Sequence, residues 1–362
     1  MVNKNLYRSG HRSIDRLLSI LIIFLLAIVL SACEKGTPNG GLQPLLSTPT
    51  PLPVTPTPDL NTTPTPTQLP PGAEGNPIVI GMVFTDSNTQ LPAATDFIQY
   101  LADSTGFVFT ISEFASEFEL LTAMDQESVS IAWLQPEEYL YASQNDIAQV
   151  ALLTSHYGLY GYGSNFYVRA DSGFKIDFQP ISGSSTENAS TALRQFAEKT
   201  PCMVNTRSLS GYAYPLGLFA QLNIALNEPV FLQTHESVVR AVYSGGICDF
   251  GVTYGIVGDP RTASAIQADL PDVMDKVLIA WQSPADIPSL NLSFATHVSG
   301  DLRFAITSAV TDFAKSQAGL DTLSKMNNYL IDEIRPATDD EYEPLRLVIE
   351  ASGIDFETFI SR

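Results

Sequence analysis

Ile131-Ala132-Trp133-Leu134-Gln135-Pro136 is a continuous apolar segment to Leu134, then one glutamine, then a proline. A short run with no polar alternation reads as a strand buried on both faces. A proline two residues after its end suits the first turn of a helix, where its missing N–H leaves nothing unpaired. Strand into helix is the unit of an α/β fold, and the neighbouring sequence repeats it. Upstream, Ser116-Glu117-Phe118-Glu119 has capping-box spacing and opens a helix with Phe118, Leu121 and Met124 on one face. Before it, Phe107–Ile111 is strand-like, 92–104 carries Phe97, Tyr100 and Leu101 at helical spacing, and Ile78–Phe84 is another apolar run. Downstream the pattern returns after about residue 165, with strands at 202–205, 229–233 and 248–253 and helices opening at Gly211 and Glu236. Val277–Trp281 is a further apolar stretch, and Ser299 caps a helix whose buried stripe is Leu302, Ile306, Ala309, Val310 and Phe313. Alternation of this kind predicts mostly parallel sheets flanked by helices, and about 285 residues of it suit two cores better than one.

The first 76 residues have a different texture. Lys4, Arg8, Arg12 and Arg16 precede an apolar run from Leu17 to Leu30, 14 residues long. A membrane-spanning helix needs ~20, so the run suits a signal peptide over residues 1–32. Leu30-Ser31-Ala32-Cys33 resembles the lipobox of bacterial lipoproteins, which implies lipid on Cys33 and a cell-membrane protein anchored on the extracytoplasmic face. Eleven of the 24 prolines fall between Pro38 and Pro71, many alternating with threonine. Such a tract builds no core, so residues 33–76 are expected to be an extended tether. Without the leader the chain holds 15 basic and 38 acidic residues, a formal charge of −23. That surface repels nucleic acid at long range. After Cys33, two cysteines remain, Cys202 and Cys248, enough for one bridge in an exported protein.

Ser208-Leu209-Ser210-Gly211-Tyr212 lies between a predicted strand and a helix. Free N–H groups of a first helical turn, two hydroxyls and a glycine that admits close approach make anion-binding chemistry. The same serines would equally serve as a plain N-cap. Trp133 and Gln135 end a strand at its carboxyl end, where open α/β sheets place ligands; core packing is the alternative for Trp133 and a loop contact for Gln135. Thr85, Asp86 and Ser87 follow the first strand and offer further polar groups, Asp86 suiting a cation or simply a turn. Tyr162 and Ser164 sit in a run with four tyrosines among glycines, from Tyr157 to Tyr167, which suits a cleft wall or a hinge.

Taken in order, several stretches resemble the phosphate/phosphite/phosphonate type of substrate-binding protein of ABC transporters, a type 2 periplasmic binding protein family. They are Ile80–Thr85, Ile131–Pro136, Phe166–Gly173, Ser208–Tyr212, His235-Glu236-Ser237-Val238-Val239 and Asp340–Arg346. The resemblance implies a two-lobed clamshell with a hinge: lobe 1 from 77 to 167 and 281 to 362, lobe 2 from 168 to 280. It implies a small anionic ligand, a phosphorus oxyanion such as phosphate, phosphite or a phosphonate, held between the lobes, with His235 on its oxygens. Gln135 replaces the family's usual glycine, and Glu137-Glu138 brings two acids beside the cleft; separately, Thr253 and Tyr254 stand where aminophosphonate binders of the family often place an acid or amide, which puts recognition of an amine at that position in doubt. It also implies that Cys202 and Cys248 start adjacent strands and form a disulfide. The partners would be an ABC permease and ATPase, the membrane through a lipid anchor only, and the protein a monomer with no cofactor and no metal.

Enzyme motifs are missing. No G-x-S-x-G elbow surrounds Ser208 or Ser210. His235-Glu236 opens no H-E-x-x-H pair, because Val239 holds the second position. No P-loop or dinucleotide fingerprint occurs. The other readings are a binding lipoprotein that reports ligand to a membrane kinase and a lipid-anchored hydrolase.

Overall fold

The computed structural model describes residues 69–361. The leader, Cys33 and the tether up to residue 68 lie outside the described residues. Among those described, no helix is long and apolar enough to cross a membrane.

The first lobe builds as the alternation predicts. Strand β1 (Ile78–Val83) pairs in parallel with β2 (Phe109–Phe114) and β3 (Ile131–Leu134). Helix α1 (Ser87–Thr105) connects β1 to β2 and buries Ala93, Ala94, Phe97 and Leu101. It begins five residues earlier than its apolar spacing suggests, with Pro92 inside it. The reason is Gln90. Its buried amide oxygen accepts from the backbone N–H of Thr85 and Asp86, both at 2.8 Å, and so anchors the chain entering the first turn. Helix α2 (Glu117–Asp125) is capped by Ser116, whose hydroxyl accepts from Glu119 N–H at 3.2 Å. Helix α3 (Pro136–Gln144) follows β3 directly, and β4 (Ala148–Ser155) closes the run.

The chain then crosses into β5 (Gly161–Arg169) of a second sheet. A small hairpin, β6 (Phe178–Gln179) and β7 (Ser184–Ser185), precedes β8 (Pro201–Met203). One π-helical turn at Leu209–Ala213 leads into α4 (Tyr214–Gln221), then come β9 (Val230–Phe231), α5 (His235–Ser244), β10 (Phe250–Gly255) and β11 (Val277–Gln282). Phe166, Phe196, Phe219 and Phe250 fill this lobe's core, the closest rings, Phe196 and Phe250, having centroids 4.3 Å apart. Cys202 and Cys248 are joined at the head of the paired strands β8 and β10, with an S–S distance of 2.04 Å. The chain returns through β12 (Ile287–Pro288) and β13 (Asn291–Ala295) to the first sheet, adding α6 (Gly300–Phe313), α7 (Gln317–Asn327), β14 (Glu333–Pro336) and α8 (Glu343–Ser352). The sheet orders are β14-β4-β13-β3-β1-β2 and β11-β5-β10-β8-β9, with β12 on β5.

Four expectations change. The sheets are mixed, not mostly parallel: β13 lies antiparallel to both β3 and β4, β14 to β4, and β5 to both β10 and β11. Of these, β4, β5, β11 and β13 flank the two crossings, where the chain passes between sheets without a covering helix, whereas β14 reaches β4 only after α6 and α7. The lobe division at 167 and 281 would cut through β5 and β11, which belong whole to the second sheet; sheet membership moves the crossings to 156–160 and 283–290. The tether does not reach 76. Gly72 accepts from Val108 N–H and donates to the Asn76 carbonyl, each at 2.8 Å, so residues 69–76 form a turn docked beside β2. Finally, α8 is not confined to the first lobe. Gln221 of α4 donates to the Leu347 carbonyl at 3.0 Å, while Arg346 reaches Ser143 of α3.

Candidate functional site

His235 is the first residue of α5, one position before the helix opening expected at Glu236. Thr234 caps that helix, accepting from Ser237 N–H at 3.1 Å, and so sets the direction in which His235 leaves the backbone. Its Nδ1 accepts from the Tyr254 backbone N–H at 3.3 Å. The neutral ring therefore carries its proton on Nε2. Burial lowers the pKa of His235 to about 4, partly opposed by nearby Glu236, so at neutral pH the imidazole is uncharged and offers one donor. Tyr254 packs edge-on against it, centroids 4.7 Å apart.

These two residues line a cleft of 710 Å³ shared with Gln135, Tyr162, Ser210, His156, Tyr157, Tyr329 and Asp259. The wall is thus drawn from both sheets and from the crossing. Gln135 reaches it as the N-cap of α3, in a reciprocal box with Glu138. Ser210 is buried within the π-helical turn, its carbonyl accepting from the Ser164 hydroxyl at 2.6 Å. Asp259 is held by Arg261, which donates to both its oxygens, and by the Tyr167 hydroxyl at 2.8 Å. Among the described residues lining the cleft there is no lysine or arginine.

A smaller cavity of 230 Å³ lies wholly against the first sheet, lined by Thr85, Gln90, Trp133, Gln135, Glu138 and Asn328 among others. Trp133 Nε1 is buried there without a hydrogen-bond partner. Burial, reinforced by neighbouring Glu137, raises Glu138 to about 8; burial likewise raises Glu137 to about 7.

The other residues picked from sequence are spread more widely. Ser208 is spent on its own helix, accepting from Gly211 N–H at 3.1 Å, and Gly211 has no room for a side chain, because a Cβ would meet Val204 at 2.4 Å. Both therefore have packing and capping roles here. Tyr212 packs against Phe231, and Ser164 and Thr253 are fully buried, the Thr253 hydroxyl donating to the Tyr254 carbonyl. Asp86 lines an outer recess with Lys325 and Tyr329, and exposed Ser87 donates to Glu113. Sequence reasoning passed over His156, Tyr329 and Asp259. His156 stacks on Tyr329 with centroids 4.6 Å apart, a pairing across 173 positions that no local pattern announces. The run of tyrosines and glycines after Tyr157 was the available signal for the crossing wall.

Comparison with known proteins agrees with this architecture. The profile of the family described as "ABC transporter, phosphonate, periplasmic substrate-binding protein" matches residues 80–342. A curated relative, the phosphate-import protein PhnD of Mycolicibacterium smegmatis, is 23% identical over 303 residues, covering 78% of this chain and 88% of its own. The solved structure of XAC2383 from Xanthomonas citri bound to ATP has a TM-score of 0.55 at 15% identity, covering 76% of this chain and 96% of that one. The same protein bound to chloride gives 0.54 over 76% and 97%.

Proposed function

The chain belongs to the periplasmic phosphonate-binding family of ABC transporters, and on that premise we propose that it binds a phosphorus oxyanion in the cleft between its two lobes for uptake. It is an extracytoplasmic binding protein and not an enzyme. The observation that carries the oxyanion reading is His235, held neutral with its Nε2 proton free, in one cleft with Ser210 and Gln135. Neutral, preoriented donors bind an anion without the desolvation cost of burying a cation. Each hydrogen bond to a charged group contributes about 1.5–3 kcal/mol, enough in sum to offset the acidic exterior. The phosphate named for the mycobacterial relative belongs in the first panel, with phosphite and methylphosphonate.

We further propose that Cys33 carries lipid and that the Pro/Thr tract tethers the binding domain, raising its effective concentration at a permease. The basis is the leader, the apolar core and the cysteine spacing; loss of palmitate labelling in Cys33→Ala is the expected result, and labelling that persists refutes it.

The binding test uses the mature chain with Cys33→Ser, purified without detergent, in calorimetric and thermal-unfolding titrations. A ligand at 100 times its Kd should stabilise the fold by ~2.7 kcal/mol. That gain should vanish in Ser210→Ala combined with His235→Ala. No stabilisation by any phosphorus compound would refute the substrate assignment.

A further inference from the structure

The cleft holds more aromatic surface than an oxyanion can use. Tyr157, Tyr162, Tyr254 and Tyr329 line it with His156 and His235. Its volume of 710 Å³ falls in the ~300–1,000 Å³ range of sites that enclose whole organic ligands. Two aromatic groups face it: His235 edge-on to Tyr254, and His156 stacked on Tyr329 and edge-on to Tyr157 at 4.4 Å. Tyr157 is 65% exposed and has a φ of 51°, in the left-handed region. Backbone strain of that kind in a tyrosine persists where the surroundings impose it, often at ligand sites.

Charge decides what the aromatic surface is for. The faces of tyrosine rings are electron-rich and attract cations. Among the described residues, the cleft's single lining carboxylate, Asp259, already accepts from the Tyr167 hydroxyl and, on both its oxygens, from the Arg261 guanidinium. A primary ammonium has three N–H donors to satisfy and would find no free carboxylate among the described residues of the cleft. A quaternary ammonium has none to satisfy. It asks only for aromatic faces.

Resting on the oxyanion reading above, we infer that the preferred ligand is zwitterionic: a phosphorus oxyanion carrying a trialkylammonium group, the oxyanion on Ser210 and His235 and the cation against Tyr157, Tyr254 and Tyr329. Such a ligand also reduces the conflict between an anionic cargo and a chain of formal charge −20.

The test compares four probes by calorimetry on the mature chain with Cys33→Ser: phosphocholine, phosphoethanolamine, 3,3-dimethylbutyl phosphate and inorganic phosphate. The dimethylbutyl ester keeps the shape of the choline group without its charge. Phosphocholine should bind about tenfold more tightly than either organic analogue, a gain within reach of cation–π contacts summed over three rings. In Tyr157→Ala and in Tyr254→Leu the ratio of phosphocholine to dimethylbutyl phosphate affinity should collapse towards one. A ratio is read because a general loss of folding would lower both affinities together. Equal or tighter binding of phosphoethanolamine or the dimethylbutyl ester overturns the inference. If phosphate binds and phosphocholine does not, the inference fails and the oxyanion reading stands. If none of the four binds, both fail.

Discussion

His235 and Glu138 are held uncharged by the same cause, burial, acting in opposite directions on their protons. Each leaves a distinct mark on stability. His235 falls from an ordinary 6.5 to about 4, so below 6.5 the unfolded chain takes up the proton first. Stability from this group is intact above 6.5 and is lost as pH falls through 4. Glu138 rises from 4.5 to about 8, so the unfolded chain releases its proton first. Stability is then lost as pH rises from 4.5 through 8. Urea unfolding at a series of pH values should show a shallower alkaline decline in Glu138→Gln than in the native chain. His235→Asn should flatten the acid side instead. A native slope retained in Glu138→Gln would mean that this carboxyl is not held protonated. Strand ends, a helix-opening turn and the family resemblance point to Ser210, His235, Gln135, Tyr162 and Tyr254, and these five line one cleft. Ser208 and Gly211 satisfied the same pattern but serve the helix that carries Ser210. A motif marks a turn; which hydroxyl faces the cleft depends on Val204 packed beneath it.

Elements divide along similar lines. Ser116 and Ser299 cap the helices their spacing announces, because a cap is satisfied within four residues. The antiparallel returns were not legible. β13 is fully buried between β3 and β4, and nothing within Asn291–Ala295 encodes the direction of neighbours about 140 to 160 positions away. Nor does the sequence of α8 say that it bridges the lobes. There the sign is Gly217 on α4, where an added Cβ would come within 2.0 Å of the Val348 carbonyl. The helices touch backbone to backbone at that point. Gly217→Ala is therefore expected to destabilise by about 1–3 kcal/mol, as overpacking does, despite alanine's better helix propensity. Chemical denaturation measures it. A stabilised variant would mean that the two helices are not in contact in solution.

At the scale of the whole molecule, the two sheets are connected by the crossings at 156–160 and 283–290 and by α8 packed on both lobes. A ligand gripped by Ser210 and His235 on one side and Gln135 on the other has reason to draw the sheets together, since closing the cleft shortens every one of those contacts. The crossing carries Tyr157, whose ring lines the cleft, so rotation there moves the aromatic wall with the lobe. The α8 helix limits that rotation: it can pivot about its contact at Gly217 but cannot part from it without exposing buried Leu345, Val348 and Ile349. Closure should therefore be a modest hinge motion. Small-angle scattering on the mature chain with Cys33→Ser should show the radius of gyration falling on saturation with ligand, with no change in the Ser210→Ala, His235→Ala variant. If the radius is unchanged at saturation in the native chain, the cleft is preformed and binding proceeds without hinge closure.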